Sequence, residues 1–319
     1  MRPANFEQPL NSQAMTEVME QIMAGKADEA FIREFVATLA RRGETAEEIA
    51  AAVSVLRKHA VLVPLKDTKG LCDTCGTGGD GQGTLNVSTL AAIVASAAGV
   101  RVAKHGNRAA SSRCGSADLL EALGVNLEAT PAQVARCIDE AGFGFCFAPR
   151  FHPAMKAVAP IRKALGIRTI FNLIGPLANP CPIAFQLVGV PDPRLLKPMA
   201  EALIRLGIEH GLVVHGSDGL DEVTTTGPTQ ALEVRKANLE PITLTPAQWG
   251  IPQAKLEALR GGDVDRNKAM ALEVLSGAAS PAHDMIVVNA ACALYVADKA
   301  KTILGGIEQA RKAIVSGQA

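Results

Sequence analysis

Residues 75–89 read CGTGGDGQGTLNVST, with glycine at 76, 78, 79, 81 and 83, one acid, Asp80, among them, and Thr84, Asn86, Ser88 and Thr89 behind them. Glycine at this density allows positive φ, or lets a ligand lie against the backbone where a Cβ would intrude. The spacing Gly76-x-Gly78-x-x-Gly81 fits a dinucleotide fingerprint, which also needs an acid about twenty residues on, at the end of the second strand. That strand ends instead in AKHGNR, from Ala103 to Arg108, with cations and amides where the carboxylate would stand. A P-loop is excluded because no Lys-Ser or Lys-Thr follows Gly81. Anion binding remains: backbone N–H groups and hydroxyls leading into a helix N-terminus, whose dipole favours negative charge. Lys104, Arg108 and Arg113 add positive charge beside it, and SSRCGS (111–116) offers a second nest of hydroxyls and N–H groups before another helix. Two cradles flanking one strand predict a ligand with phosphates at both ends.

A second cluster is GLDE at 219–222. Adjacent residues of a strand face opposite sides, so Asp221 and Glu222 fit a loop or turn better, where both can converge on one cation or its water shell. Magnesium suits such a pair if phosphate oxygens and water complete its shell. Cys72-x-x-Cys75 has redox or zinc spacing, but no second CxxC or histidine pair accompanies it, and it is read as inert. His152, in RFHP, is read as shaping the turn before Pro153. His215 closes a strand near the site, while His59, His210 and His283 have no chemical context.

These groups need a scaffold. The first seventy residues are helical in pattern: DEAFIREFVATLARR stops at Gly43, and Thr45 with Glu48 forms a capping box for the next helix. Beyond VPLKDTKG, strands such as VRVAKHG, FGFCFAP, FQLVGV, HGLVVHG and ALEVRK alternate with helices, Thr130 to Gln133 capping one of them, and the tail from Asp265 is helical. That alternation predicts a mainly parallel sheet covered by helices. The expected class is α/β: a small helical domain over 1–69, joined by helices from about 155–182, and a larger α/β domain over 70–319.

Composition narrows the partners. The chain is 48% apolar and 20% charged, and 32 basic residues balance 32 acidic ones. No global field draws it to nucleic acid or membrane, and one Trp and one Tyr leave little for stacking bases. No apolar run approaches a membrane span. The start lacks a signal-peptide pattern, and seven scattered cysteines suit the reduced thiols of a cytoplasmic protein.

GTGGD, NVST, KHGNRAASSRCGSADLLEALGV, FAPRFHPAMKAVAPIRKALGIRTIFNLIGPLANP and VVHGSDGLDEVTTTG resemble the anthranilate phosphoribosyltransferase family, in order and over nearly the whole chain. The resemblance implies a pentosyltransferase of tryptophan biosynthesis that moves phosphoribosyl from 5-phosphoribosyl-1-diphosphate (PRPP) to the anthranilate amine and releases pyrophosphate. It assigns the sugar phosphate and diphosphate to Gly76, Gly79, Asp80, Thr84, Asn86, Val87, Ser88 and Thr89. The stretch Lys104, His105, Gly106, Asn107, Arg108, Ala109, Ala110, Ser111 and Ser112, with Ser116, closes over them. Two magnesium ions per site are implied, one at Ser88 and one near Asp221 and Glu222. Asn107 and Arg162 match the acceptor-binding positions, and a homodimer through the helical domain is expected. Lys104, His105 and Arg162 are the implied catalytic set. Lys104 would stabilise the leaving diphosphate, and Arg162 would offer the planar fork that a carboxylate acceptor wants. His105 is open between proton removal and packing beside the acceptor. Cys114 and Met155 depart from the commoner family pattern, which bears on acceptor preference and leaves the phosphate motifs intact.

Two rivals remain. A pyrimidine nucleoside phosphorylase attacks the same anomeric carbon with inorganic phosphate, and GLDE with the complete KHGNR argues against it. A nucleic-acid-binding relative on the same fold would want a basic surface, which this chain lacks.

Overall fold

The computed structural model describes residues 5–109 and 112–319. Three helices come first: α1 (Ser12–Met23), α2 (Glu29–Arg42) and α3 (Ala46–Lys58). Asn11, Asp28 and Thr45 each accept a first-turn N–H, and Glu48 completes the capping box at Thr45.

From Leu71 the chain alternates between β1 (Leu71–Gly76), α4 (Val87–Ala97), β2 (Arg101–Gly106), α5 (Ser116–Ala122), α6 (Pro131–Ala141) and β3 (Phe143–Phe147). Three helices, α7 (Ala148–Phe151), α8 (Ala159–Leu165) and α9 (Ile170–Leu177), precede β4 (Phe185–Gly189), α10 (Leu196–Arg205) and β5 (His210–Gly216). β6 (Thr229–Arg235) and β7 (Asn238–Leu244) follow, then α11 (Val264–Leu275), α12 (Pro281–Val296) and α13 (Ile303–Val315).

The strands form one seven-stranded sheet in the order β3-β2-β1-β4-β5-β6-β7. The first five are parallel to one another, and β6 runs antiparallel between β5 and β7, so the mainly parallel sheet is found. β7 carries no strand signal in the sequence. It carries Pro241, tolerable on an outermost strand, and its hairpin turns on Lys236 and Ala237 at φ 48° and 64° without the Asn or Gly that usually marks such a turn.

Period-two alternation divides the sheet between two cores. Cys75, Ala103, Val188 and Val213 face a core shared with α1–α3, α9 and α10. Cys72, Val102, Leu187 and Leu212 face the core of α4, α12 and α13. α12 is buried on nearly every side, as expected of a helix apolar all round. α8 and α9 pack on α2 and α3, which brings the 155–182 helices to the N-terminal bundle.

The polar residues of β2 obey the same alternation. Lys104 lies on the α4 face and His105 on the helical-bundle face. The order of strands reverses between β1 and β4, where open α/β sheets form a crevice at the carboxyl ends of their strands.

Candidate functional site

A cavity of about 810 Å³ opens at that crevice, lined by the loops after β1, β2 and β5 and by the segment before α11. From the first loop Gly76, Gly79, Asp80, Thr84, Asn86, Val87, Ser88 and Thr89 line it. Lys104, His105, Gly106, Asn107, Arg108, Ala109, Ser112 and Ser116 line it from the second, with Asp221 and Glu222 opposite. Ala110 and Ser111 lie outside the described residues. Arg162 is not among the lining residues. It sits on α8 with its guanidinium 5.7 Å from the Phe171 ring centroid, and α9, which carries Phe171, also presents Asn172 to the cavity.

Gly78, Gly79, Gly81 and Gly83 have φ between 63° and 81°, which accounts for the glycine density. Gly76 is glycine for another reason: a Cβ there would stand 2.1 Å from Asp221 Oδ2. The acidic turn rests on the strand ends, and the Asp221 carboxylate accepts the Gly78 N–H at 2.7 Å. Glu222 accepts the Ser88 N–H at 3.1 Å and so closes the first turn of α4, whose N-cap Asn86 makes no side-chain cap bond. Both carboxylates therefore converge from one turn onto the glycine loop, the arrangement that suits adjacent acids better than a strand. Burial and then Asp80 push Asp221 up to about 6, and burial followed by Asp221 raises Glu222 as well. Three acids crowded among N–H donors form a site that a cation would relieve.

Lys104 is only 1% exposed. Its ammonium donates to the Thr74 carbonyl at 2.6 Å and to Ser88 Oγ at 3.4 Å, which aims it at the start of α4. Asp73, buried in β1, accepts the His105 N–H at 3.3 Å and an Asn179 amide at 2.9 Å. Burial pushes Asp73 up to about 6 against the pull of Lys104. Arg108 lines the cavity, yet its guanidinium is committed to Asp118 and Glu121, and these pairs hold its pKa above the ordinary value.

His105 Nδ1 lies 3.1 Å from the Gly175 carbonyl. A carbonyl only accepts, so Nδ1 carries the proton and Nε2 keeps its lone pair, with no partner among the described residues. The ring stands edge-on to His152, centroids 5.1 Å apart, so His152 does more than shape its turn. Burial, and then His152, push His105 down to about 3; it is a neutral imidazole and a weak base.

The folded pKa lies below the ordinary 6.5. Between those values the unfolded chain takes up a proton that the folded chain refuses, so stability falls as the pH drops through that window. Asp73 acts oppositely: its raised pKa contributes stability below its ordinary 3.8 that is lost as the pH rises through about 6. His105→Gln is expected to flatten the acid-side loss by at most about 1.4 kcal/mol per pH unit. Thermal unfolding between pH 6.5 and 3 checks this, and an unchanged slope would mean that the folded protein already protonates His105.

Several residues at the site had no local signal. Arg260 and Asn267 line the cavity because residues 259–261 pair with the glycine loop through Leu85 N–H to Leu259 O and Gly261 N–H to Gly83 O. Asn267 donates to Asn86 Oδ1 at 3.0 Å. The only cue was the Gly261-Gly262 doublet. Arg168 reaches the loop from behind, its Nη2 3.1 Å from the Gly78 carbonyl. Cys114 lines the cavity, whereas Met155 packs against the bundle-side core.

Comparison with known proteins agrees with this geometry. Residues 5–60 match the glycosyl transferase family helical bundle domain, and residues 68–319 the a/b domain of the same family. The anthranilate phosphoribosyltransferase of Thermomicrobium roseum is 49% identical over 306 residues, spanning 95% of this chain and 88% of the relative. That of Roseiflexus sp. is 49% identical over 97% of this chain and 91% of its own. The crystal structure of anthranilate phosphoribosyltransferase (TrpD) from Thermus thermophilus superposes with a TM-score of 0.93 at 46% identity, covering 98% of this chain and 93% of that one. The Saccharomyces cerevisiae enzyme in complex with PRPP and Mg gives 0.85 at 30% identity, over 96% and 88% of the two chains. In sequence, in sheet and bundle, and along nearly its full length, the chain belongs to the anthranilate phosphoribosyltransferase family.

Proposed function

We propose that the protein transfers the phosphoribosyl group of PRPP to the anthranilate amine, giving N-(5-phosphoribosyl)anthranilate and pyrophosphate, as a step of tryptophan biosynthesis. One observation carries this most directly. β2 presents Lys104 to the glycine loop and the start of α4, and the next residue, His105, to the bundle face. A single strand thus separates an anion cradle from a wall that presents the His105 imidazole with Asn107 and Asn172, an arrangement that suits a reaction between a diphosphate ester and an aromatic amine.

Departure of pyrophosphate from the anomeric carbon builds negative charge on the leaving group and positive charge on the sugar. Lys104, the free N–H groups of the glycine loop and the α4 N-terminus meet the first. An aromatic amine needs no strong base at neutral pH, in keeping with an imidazole pushed down to about 3. His105 Nε2 is left to accept a hydrogen bond from the acceptor.

Hard oxygen donors at Asp221, Glu222, Asp80 and Ser88 fit Mg²⁺. Among the described residues no group of three His, Cys, Asp or Glu side chains could hold an ion by itself, so an ion here would complete its shell with water and phosphate. When bound, Mg²⁺ neutralises phosphate charge. Two ions per site are proposed, one at Ser88 and one at Asp221 and Glu222.

We assign Arg162 and Asn107 to the anthranilate carboxylate side, with Arg162 turning from Phe171 to meet it. The division into a helical domain (1–69 with about 155–182) and a PRPP-binding domain (70–319), a homodimer through the former and a cytoplasmic location complete the proposal. No helix is long and apolar enough to cross a membrane among the described residues. A monomer in sedimentation at micromolar concentration would remove the dimer.

Loss of anthranilate fluorescence on mixing with PRPP and Mg²⁺, matched by pyrophosphate release, tests the reaction. Arg162→Ala in the same assay is expected to raise the anthranilate KM about ten- to a hundred-fold, the scale of a lost charge-assisted bond, with the PRPP KM nearly unchanged. No consumption by the parent, or phosphorolysis of thymidine without Mg²⁺, overturns the function. Equal weakening of both substrates in Arg162→Ala overturns that assignment alone.

A further inference from the structure

Arg168 stands in the turn between α8 and α9, on the bundle side, and reaches across to the glycine loop. Its Nη2 donates to the Gly78 carbonyl at 3.1 Å and lies 3.5 Å from Thr77 Oγ1. Gly78 is held from its other end too, since its N–H donates to Asp221 Oδ2 at 2.7 Å. Gly78 and Gly79 have φ of 69° and 81°, so the peptide between them has wide conformational freedom and gains its direction from outside contacts.

That peptide is trans, as no cis bond is present among the described residues, and in a trans peptide the carbonyl and the following N–H point opposite ways. Fixing the Gly78 carbonyl therefore fixes the Gly79 N–H. Gly78 and Gly79 both line the cavity and Arg168 does not, so the carbonyl, bonded to Arg168, is the end of this peptide directed away from the lining, which leaves the Gly79 N–H for the cavity. The Gly79 N–H has no partner among the described residues.

We propose that Arg168 is a positioning residue, which locks the Gly78–Gly79 peptide so that the Gly79 N–H faces the diphosphate. The inference rests on the function proposed above, and Arg168 itself touches no substrate. Arginine suits the task because one guanidinium nitrogen, Nη2, serves the carbonyl and lies beside the Thr77 hydroxyl, and the rigid planar group fixes that donor's direction, which a freely rotating ammonium on a flexible stem does not.

Binding of inorganic pyrophosphate with Mg²⁺, measured by titration calorimetry, tests this without relying on turnover. Arg168→Gln and Arg168→Lys are both expected to weaken pyrophosphate about ten-fold, the scale of one lost hydrogen bond. The KM for anthranilate and the Tm should stay close to the parent's, a split that a merely structural arginine would not produce. Full retention in Arg168→Lys would show that charge alone matters and overturn the proposal. So would unchanged affinity in both variants, equal weakening of both substrates with a fallen Tm, or a parent that binds no pyrophosphate. A parent that binds pyrophosphate tightly, loses it in both variants and yet turns over no PRPP would sink the proposed function and support the role of Arg168.

Discussion

Asp221→Asn combined with Glu222→Gln is expected to keep the fold and lose most turnover, on the order of a hundred-fold or more, the scale of several kcal/mol of metal–phosphate stabilisation. The amides preserve what these side chains do structurally. An amide oxygen at position 221 can still accept the Gly78 N–H, and one at position 222 the Ser88 N–H, the two bonds that tie the turn to the loop. What the double variant removes is charge. Burial raises both carboxyls, with Asp80 adding to the rise at Asp221 and Asp221 to that at Glu222, so neutralising them relieves strain in the unliganded protein. Tm should therefore hold or rise while activity falls, the opposing pattern expected of residues kept for function at a cost in stability. Raised Mg²⁺ should recover only part of the rate, because the anchoring carboxylates are gone. Activity against Mg²⁺ concentration decides the matter: curves coincident with the parent's would mean that these acids hold no metal.

Much of this site was legible because its chemistry is local in sequence. The glycine loop, AKHGNR and GLDE each carry their signal within a few residues, and their placement follows from strands ending at one edge of a parallel sheet. What is not legible is held by long-range packing. Arg260 and Asn267 arrive through backbone pairing of 259–261 with residues 83–85. Asp73, which has no signal of its own inside Cys72-x-x-Cys75, is a buried carboxylate joining β1, β2 and Asn179. His152 resembled a turn residue because nothing in RFHP records that it will meet His105 from another element. Arg162 shows the converse. Its residue type suggested a carboxylate partner, yet the structure stacks it on Phe171, outside the cavity lining. The β6–β7 hairpin was invisible since Lys236 and Ala237 adopt positive φ without the usual residues.

The glycines at the strand ends yield the sharpest steric expectation. Gly76 and Gly189 are register partners on β1 and β4, and the acidic turn lies across both. At Gly76 an added Cβ meets the end of the Asp221 side chain, which can swing aside at the loss of its bond to Gly78. At Gly189 it meets backbone: 1.6 Å from the Asp221 carbonyl oxygen and 2.3 Å from its carbon. No rotamer change relieves that, so the turn carrying Asp221 and Glu222 must move as a unit. Gly189 has no positive φ, and alanine suits a strand at least as well as glycine, so the substitution acts through this overlap and not through local backbone strain. Gly189→Ala is expected to cost about 1–3 kcal/mol of stability, as overpacking does. It should also lower turnover on the scale of the double carboxylate variant and raise the Mg²⁺ requirement, although no carboxylate has been touched. Urea unfolding and the same Mg²⁺ titration separate the two effects. A destabilised variant with the parent's Mg²⁺ curve would show that the turn relaxes without carrying Asp221 off its position, and the need for glycine at 189 would then be one of packing alone.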